Sequence, residues 1–87
     1  MQAPHTILGV HITDRLTEAV EVQKLLTKYG KHIKTRLGLH EIEKRDAPQG
    51  LLVLEIVAPD AEIQALADGL NAIDGVEVQS MVFHHLE

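Results

Sequence analysis

Cysteine is absent from the 87 residues, so no disulfide, thiolate metal site or cysteine nucleophile is available. Aromatic side chains are almost absent as well: Tyr29 and Phe83 are the whole set. With no helix patterned to read bases, nucleic-acid binding by this chain is not expected. Ser80 is the sole serine, and neither a glycine-rich phosphate loop nor a nucleophile elbow is present. The paired carboxylates Glu41 and Glu43 fall on the exposed side of an expected edge strand or its turn, where water solvates rather than tunes them. An enzyme is therefore not expected. The longest apolar run, Leu51 to Leu54, is far short of the roughly 20 residues of a membrane helix, and no secretory pattern opens the chain. A cytoplasmic protein without a membrane partner is the expectation.

What is present is one small domain, expected over residues 1–85. Leu86-Glu87 match the vector-derived pair that precedes a histidine tag and are set aside. A chain of this size buries only about 60–65% of the surface that it exposes when unfolded, so association with further copies is an expected source of burial. The net charge of −5 is unevenly spread. Seven of the eight basic residues lie between Lys24 and Arg45 against two acids, while the remainder holds one base and eleven acids. Such segregation suits an anionic partner or the two ends of a subunit contact.

Residues 6–12, TILGVHI, read as a strand rich in β-branched residues. Asp14 suits a helix N-cap, and Leu16, Ala19, Val20, Val22, Leu26 and Tyr29 recur at helical spacing up to Gly30, read as a left-handed stop. In the run 32–43, Ile33, Thr35, Leu37 and Leu39 alternate with Lys34, Arg36, Gly38 and His40. Period-2 reading turns the first set inward and the second outward. Residues 45–50 are a turn by composition, and Leu51–Ala58, apolar on both faces except Glu55, reads as a central strand.

The pattern then repeats. Pro59-Asp60 opens a helix with Ile63, Leu66, Ala67, Leu70 and Ile73 on one stripe, Asp74-Gly75 closes it, and Val76–Phe83 alternates as a last strand. A β-α-β-β-α-β order predicts an α+β, ferredoxin-like sandwich: an antiparallel four-stranded sheet of order 4-1-3-2 with both helices on one face.

With Leu8, Val10, Ile12, Leu52, Leu54 and Ile56 against the helices, alternation sends His5, Ile7, Gly9, His11, Leu51, Val53, Glu55, Val57, Met81 and Phe83 to the other face. That many large apolar groups predict self-association through this face, as a dimer or tetramer. His11 and Glu55 are embedded there on neighbouring strands, as a hydrogen-bonded pair or as metal ligands. The other histidines fall at positions 5, 32, 40, 84 and 85, with no His-x-His and no helical His–Glu–His spacing. His84 and His85 point to opposite sides of a strand, and His32 and His40 are too far apart to share an ion. No cofactor is required by these residues. A divalent metal held across subunits by His11, His40 and Glu55 is the one metal site they offer.

Tyr29, Gly30, Ile33, Arg36 and Gly38, followed by a closing Gly75, Val76 and Val78, resemble the small proteins labelled iron-only hydrogenase system regulators, over about residues 7–83. Residues 61–76, AEIQALADGLNAIDGV, are also similar to the ligand-sensing C-terminal domain of the nickel-responsive repressor, a relative of ACT regulatory domains. These resemblances imply the same ferredoxin-like fold and an oligomer. Where the nickel domain has two histidines on its second strand this chain has Gly38 and His40, and its cysteine falls near Leu51. No segment resembles that repressor's ribbon-helix-helix arm, so direct operator binding is not implied.

The expectation is thus a stand-alone regulatory or sensor module that binds a small ligand or protein partner between subunits. In ACT-like assemblies such sites lie between the first strand–helix loop of one subunit and its neighbour. The resemblance therefore implies Thr13, Asp14 and Arg15, with Arg36 and His40, as ligand-binding residues. The alternatives are a divalent-metal-binding protein and an assembly partner in metallocluster-enzyme maturation.

Overall fold

A computed structural model describes residues 5–13, 15–39 and 50–84, with the backbone alone for 15–19 and 39. Strand β1 (His5–Ile12) leads to helix α1 (Arg15–Lys28), a short 3-10 turn at Gly30–His32, and strand β2 (Ile33–Leu39). Strand β3 (Gly50–Val57), helix α2 (Asp60–Asn71) and strand β4 (Val76–Phe83) complete the second half. The strands form one antiparallel sheet in the order β2-β3-β1-β4, which is the ferredoxin-like order expected.

The core lies between the sheet and the helices. Leu8, Val10, Leu54 and Ile56 from the central strands meet Val22 and Leu26 of α1 and Leu66 and Leu70 of α2, all essentially inaccessible. Alternation along β1 is complete: residues 6, 8, 10 and 12 are buried, and 5, 7, 9 and 11 look the other way. Thr6 is the one buried polar residue, and its hydroxyl has no hydrogen-bond partner among the described residues.

Local chemistry sets the ends of the elements. Pro59, extended at φ −60° and ψ 149°, precedes α2, and Asp60 and Glu62 place negative charge on its first turn. The helix ends at Asn71, short of the expected Asp74-Gly75 stop. Gly75 nonetheless takes the left-handed conformation, at φ 84°, that turns the chain into β4. Gly30 does not: its φ is not positive, and it opens the 3-10 turn instead of a left-handed cap. The expected Asp14 cap and the 45–49 part of the expected turn lie outside the described residues.

The largest departure from simple alternation is in β2. Ile33 is level with Ile56 and packs against the core, but the next pair is Thr35 with Glu55. Between them sits an irregularity at Lys34 that inserts one extra residue. Beyond it the parity is inverted. Thr35 and Leu37 stand with Glu55 and Val53 on the face away from the helices, the register sets Leu39 opposite Leu51, and Arg36 and Gly38 lie level with Leu54 and Leu52. The expectation that Leu37 and Leu39 point inward and Arg36 outward is therefore corrected, because a bulge moves every later side chain to the opposite face.

Candidate functional site on the open face of the sheet

The face away from the helices carries Ile7, Val53 and Val57 near its centre, half-buried by their neighbours. Around them Leu51, Leu37, Phe83 and Met81 are 38%, 53%, 49% and 58% exposed. Gly9 lies in the middle of β1, level with Val53 and Gln79, and a Cβ placed there would approach nothing closer than the Gln79 carbonyl at 3.9 Å. A soluble chain rarely leaves so much contiguous apolar surface open without a partner for it.

Set into this surface is a polar cluster drawn from three strands. The ring Nε2–H of His5 on β1 donates to Glu55 Oε2 on β3 at 2.7 Å. The Thr35 hydroxyl on β2 donates to the other oxygen, Oε1, also at 2.7 Å. The hydrogen bond from Thr35, then that from His5, holds the Glu55 carboxyl below the usual glutamate range. Because both oxygens accept short bonds, the charge is satisfied within the sheet. The arrangement suits a carboxylate kept ionised on a surface that another apolar surface can cover, rather than a free general base.

The bulge is what puts Thr35 in reach. Without the extra residue at Lys34, a strand starting with Ile33 turned inward would bury position 35 with it. Alternation alone could not find this residue. The marker available in the sequence was weak: a polar Thr35 within the inward-reading series.

His11 and Glu55, expected as a pair, are on the same face of adjacent strands but not beside one another. His11 is level with Leu51 and Glu55 with Ile7, four residues apart and so about 13 Å along the strands. The side chain on Glu55 is His5, which reaches diagonally from its own level at Val57. His11 is exposed and instead stands level with Glu77 across the β1–β4 ladder. Among the described residues no three histidine or acidic side chains converge as a metal-ligand group.

The expected ligand-binding residues scatter within one copy. Thr13 is tied to the α2–β4 turn: its hydroxyl and its amide both donate to the Gly75 carbonyl, at 2.8 and 2.9 Å. Arg36 Nη2 donates to Gln23 Oε1 of α1 at 3.0 Å. Gln23 helps line a shallow depression of ≈ 530 Å³ on the outer side of α1, with Val20, Lys24 and Thr27. Val20, expected on the packed stripe, is 63% exposed there. Arg36 is level with Leu54 and Leu8, five residues along from Thr13 and two strands over, so a single copy holds them roughly 20 Å apart. Asp14, the side chain of Arg15, and His40 lie outside the described residues.

The basic segment is partly engaged by its own surroundings. Lys24 pairs with Glu21 at 3.4 Å, and the Lys28 ammonium sits 5.5 Å above the Tyr29 ring. No described helix is long and apolar enough to cross a membrane.

Comparison with known proteins places this geometry. Residues 5–80 match the family model described as "TM1266-like: Iron-only hydrogenase system regulator, putative", and the chain belongs to that family. The uncharacterized protein TM1266 from Thermotoga maritima has a solved structure that superposes with a TM-score of 0.82 at 25% identity, covering 92% of this chain and 96% of that one. Two more distant structures share the fold. CPII from Thiomonas intermedia K12, a nitrogen regulatory PII-like protein solved with ADP, AMP and bicarbonate, matches at a TM-score of 0.57 and 15% identity, over 98% of this chain and 96% of that one. A formyltetrahydrofolate deformylase from Pseudomonas putida KT2440 matches at 0.61 and 16% identity, over 93% of this chain but 29% of the enzyme. No curated protein matches the sequence.

Proposed function

We propose that this chain is a non-catalytic regulatory module that works as an assembly of copies and binds a small ligand or protein partner where copies meet. The observation that carries this reading is the open sheet face, with Leu37, Leu51, Met81 and Phe83 exposed around a self-satisfied His5–Glu55–Thr35 cluster. A second copy laid on this face removes apolar surface from water without stranding a charge. The wide separation of Thr13 and Arg36 within one copy fits a site built from two, with Asp14, Arg15 and His40 contributing beside them. Membership of a regulator family and a fold shared with a PII-like regulator support a sensing role. A cytoplasmic setting and the absence of a required cofactor accompany this reading.

Light scattering on purified protein at micromolar concentration tests it directly. The expected mass is at least twice that of one chain, and Leu37→Asp should lower it. A monomer would remove the reading. Thermal-shift measurements with ADP, AMP and bicarbonate as probes then test ligand sensing, with Arg36→Ala expected to abolish any stabilisation found.

A second reading, divalent-metal binding across the boundary by His11, Glu55 and His40, is favoured by the exposed His11 facing Glu77 on the open face. Calorimetry of tag-free protein with nickel, zinc and cobalt decides it: no heat and no metal in elemental analysis would eliminate the site.

A further inference from the structure

The two outer strands of the sheet differ in how they meet solvent. β2 begins with a bulge and presents Lys34 and Arg36, two of the devices by which proteins keep an edge from pairing. β4 has none of these. It runs opposite β1 in unbroken register from Val76 to Phe83, and QSMVF at 79–83 contains no charge, proline or glycine. Val82 and Met81, on opposite sides of the strand, are 46% and 58% exposed, so this stretch is apolar and open on both faces as well as along its edge.

Hydrogen bonds identify which backbone groups point outward. The Val76 amide donates to the Ile73 carbonyl at 3.1 Å, and the Val78 amide donates to Asn71 Oδ1 at 2.9 Å. Both therefore face away from β1. In an antiparallel ladder the outward residues alternate, so the N–H and C=O groups of Ser80 and Val82 face outward too. The first part of the edge is closed by the α2–β4 connection, and the second part is the free one.

We infer that residues 79–83 of β4 pair antiparallel with the same residues of a second copy, joining two four-stranded sheets into one of eight strands. Self-association, proposed above, is the premise, and this edge supplies a surface distinct from the open face. A two-fold axis at Met81 sets Ser80 opposite Val82 of the second copy twice over, closing four N–H···O=C bonds and leaving the Asn71 bond to Val78 intact. Gln79 then lies opposite Phe83, and no like charges meet within the paired stretch. Both copies keep their helices on the same side, and the two open faces become continuous. A strand of another protein uses the same donors, but it lacks the two-fold match by which one uncharged segment satisfies itself.

Val82→Pro tests this without touching the ladder to β1, because the amide it removes faces outward. Light scattering should show the mass halved relative to wild type, with circular dichroism and thermal midpoint close to wild type. Hydrogen exchange on the wild-type assembly gives an independent reading. The Ser80 and Val82 amides should be protected like those of Glu77 and Gln79, which face β1, and should exchange as free amides in Val82→Pro. If Leu37→Asp lowers the mass while Val82→Pro leaves it and the Ser80 amide exchanges freely, the edge is not used and self-association through the open face stands alone. A monomeric wild type overturns both.

Discussion

The two halves of the chain run through the same succession of strand, helix, glycine-bearing turn and strand, with their turn glycines 45 residues apart, yet their outer strands behave differently. In the second half Gly75, at φ 84°, delivers the chain straight into β4, and alternation holds from Val76 to Phe83. In the first half Gly30 opens a 3-10 turn, a bulge follows at Lys34, and every later residue of β2 changes face. One extra residue therefore separates a strand that keeps its apolar groups under the helices from one that gives Leu37 to the open side and Arg36 to α1. It also brings Thr35 to Glu55.

The sharpest way to break this comparison is to remove one residue from each outer strand. Deleting Gln79 forces either Val76 and Val78 or Met81 and Phe83 onto the wrong face, and should cost more than about 4 kcal/mol in urea denaturation. Deleting Lys34 should cost about 1 kcal/mol or less, since Ile33 inward and Thr35 outward is what a plain strand with adjacent 33 and 35 would adopt. Equal losses would mean that the bulge is not what sets the parity of β2.

Where the halves should agree is in the core. Leu26→Ala in α1 and Leu70→Ala in α2 empty sites that are both essentially inaccessible, and each should cost about 2–5 kcal/mol by the same assay. A large asymmetry would show that one helix docks only loosely. Asn71→Ala removes the side-chain oxygen that holds the Val78 amide, with no counterpart described for β2. About 0.5–1 kcal/mol should be lost at this exposed site, with faster exchange of that amide.

The smallest effect concerns the cluster that the bulge assembles. With its carboxyl held low, Glu55 contributes stability that is fully present above the unfolded glutamate pKa of about 4.3 and is lost as pH falls through the lowered folded value. Thr35→Val removes the larger cause, so the Glu55 midpoint in an NMR titration should rise towards the ordinary range, and His5→Ala should raise it less. An unmoved midpoint in Thr35→Val would dissociate the threonine from the carboxylate.

Element order, strand order and the division of β1 and β3 between two faces were legible because alternation there is unbroken and the helical stripes are long. The apolar character of the open face followed from the same alternation. Two things were hidden. A bulge leaves no composition of its own: Lys34 looks like any solvated strand residue, so the faces of Leu37, Leu39 and Arg36 came out inverted. Register was hidden too. Sharing a face on neighbouring strands does not say which positions are level, and so Glu55 was matched to His11 when the histidine in reach was His5.

The bulge in β2 has a further consequence, for growth. A sheet with two receptive rims can add copies at both and lengthen into a fibre, a hazard for a small chain that exposes as much apolar surface as this one. Here one rim carries a kink and two cations, and only the other is smooth and uncharged. Addition along the sheet therefore closes after a single step, and the residue that inverts β2 also serves as the stop on its own polymerisation.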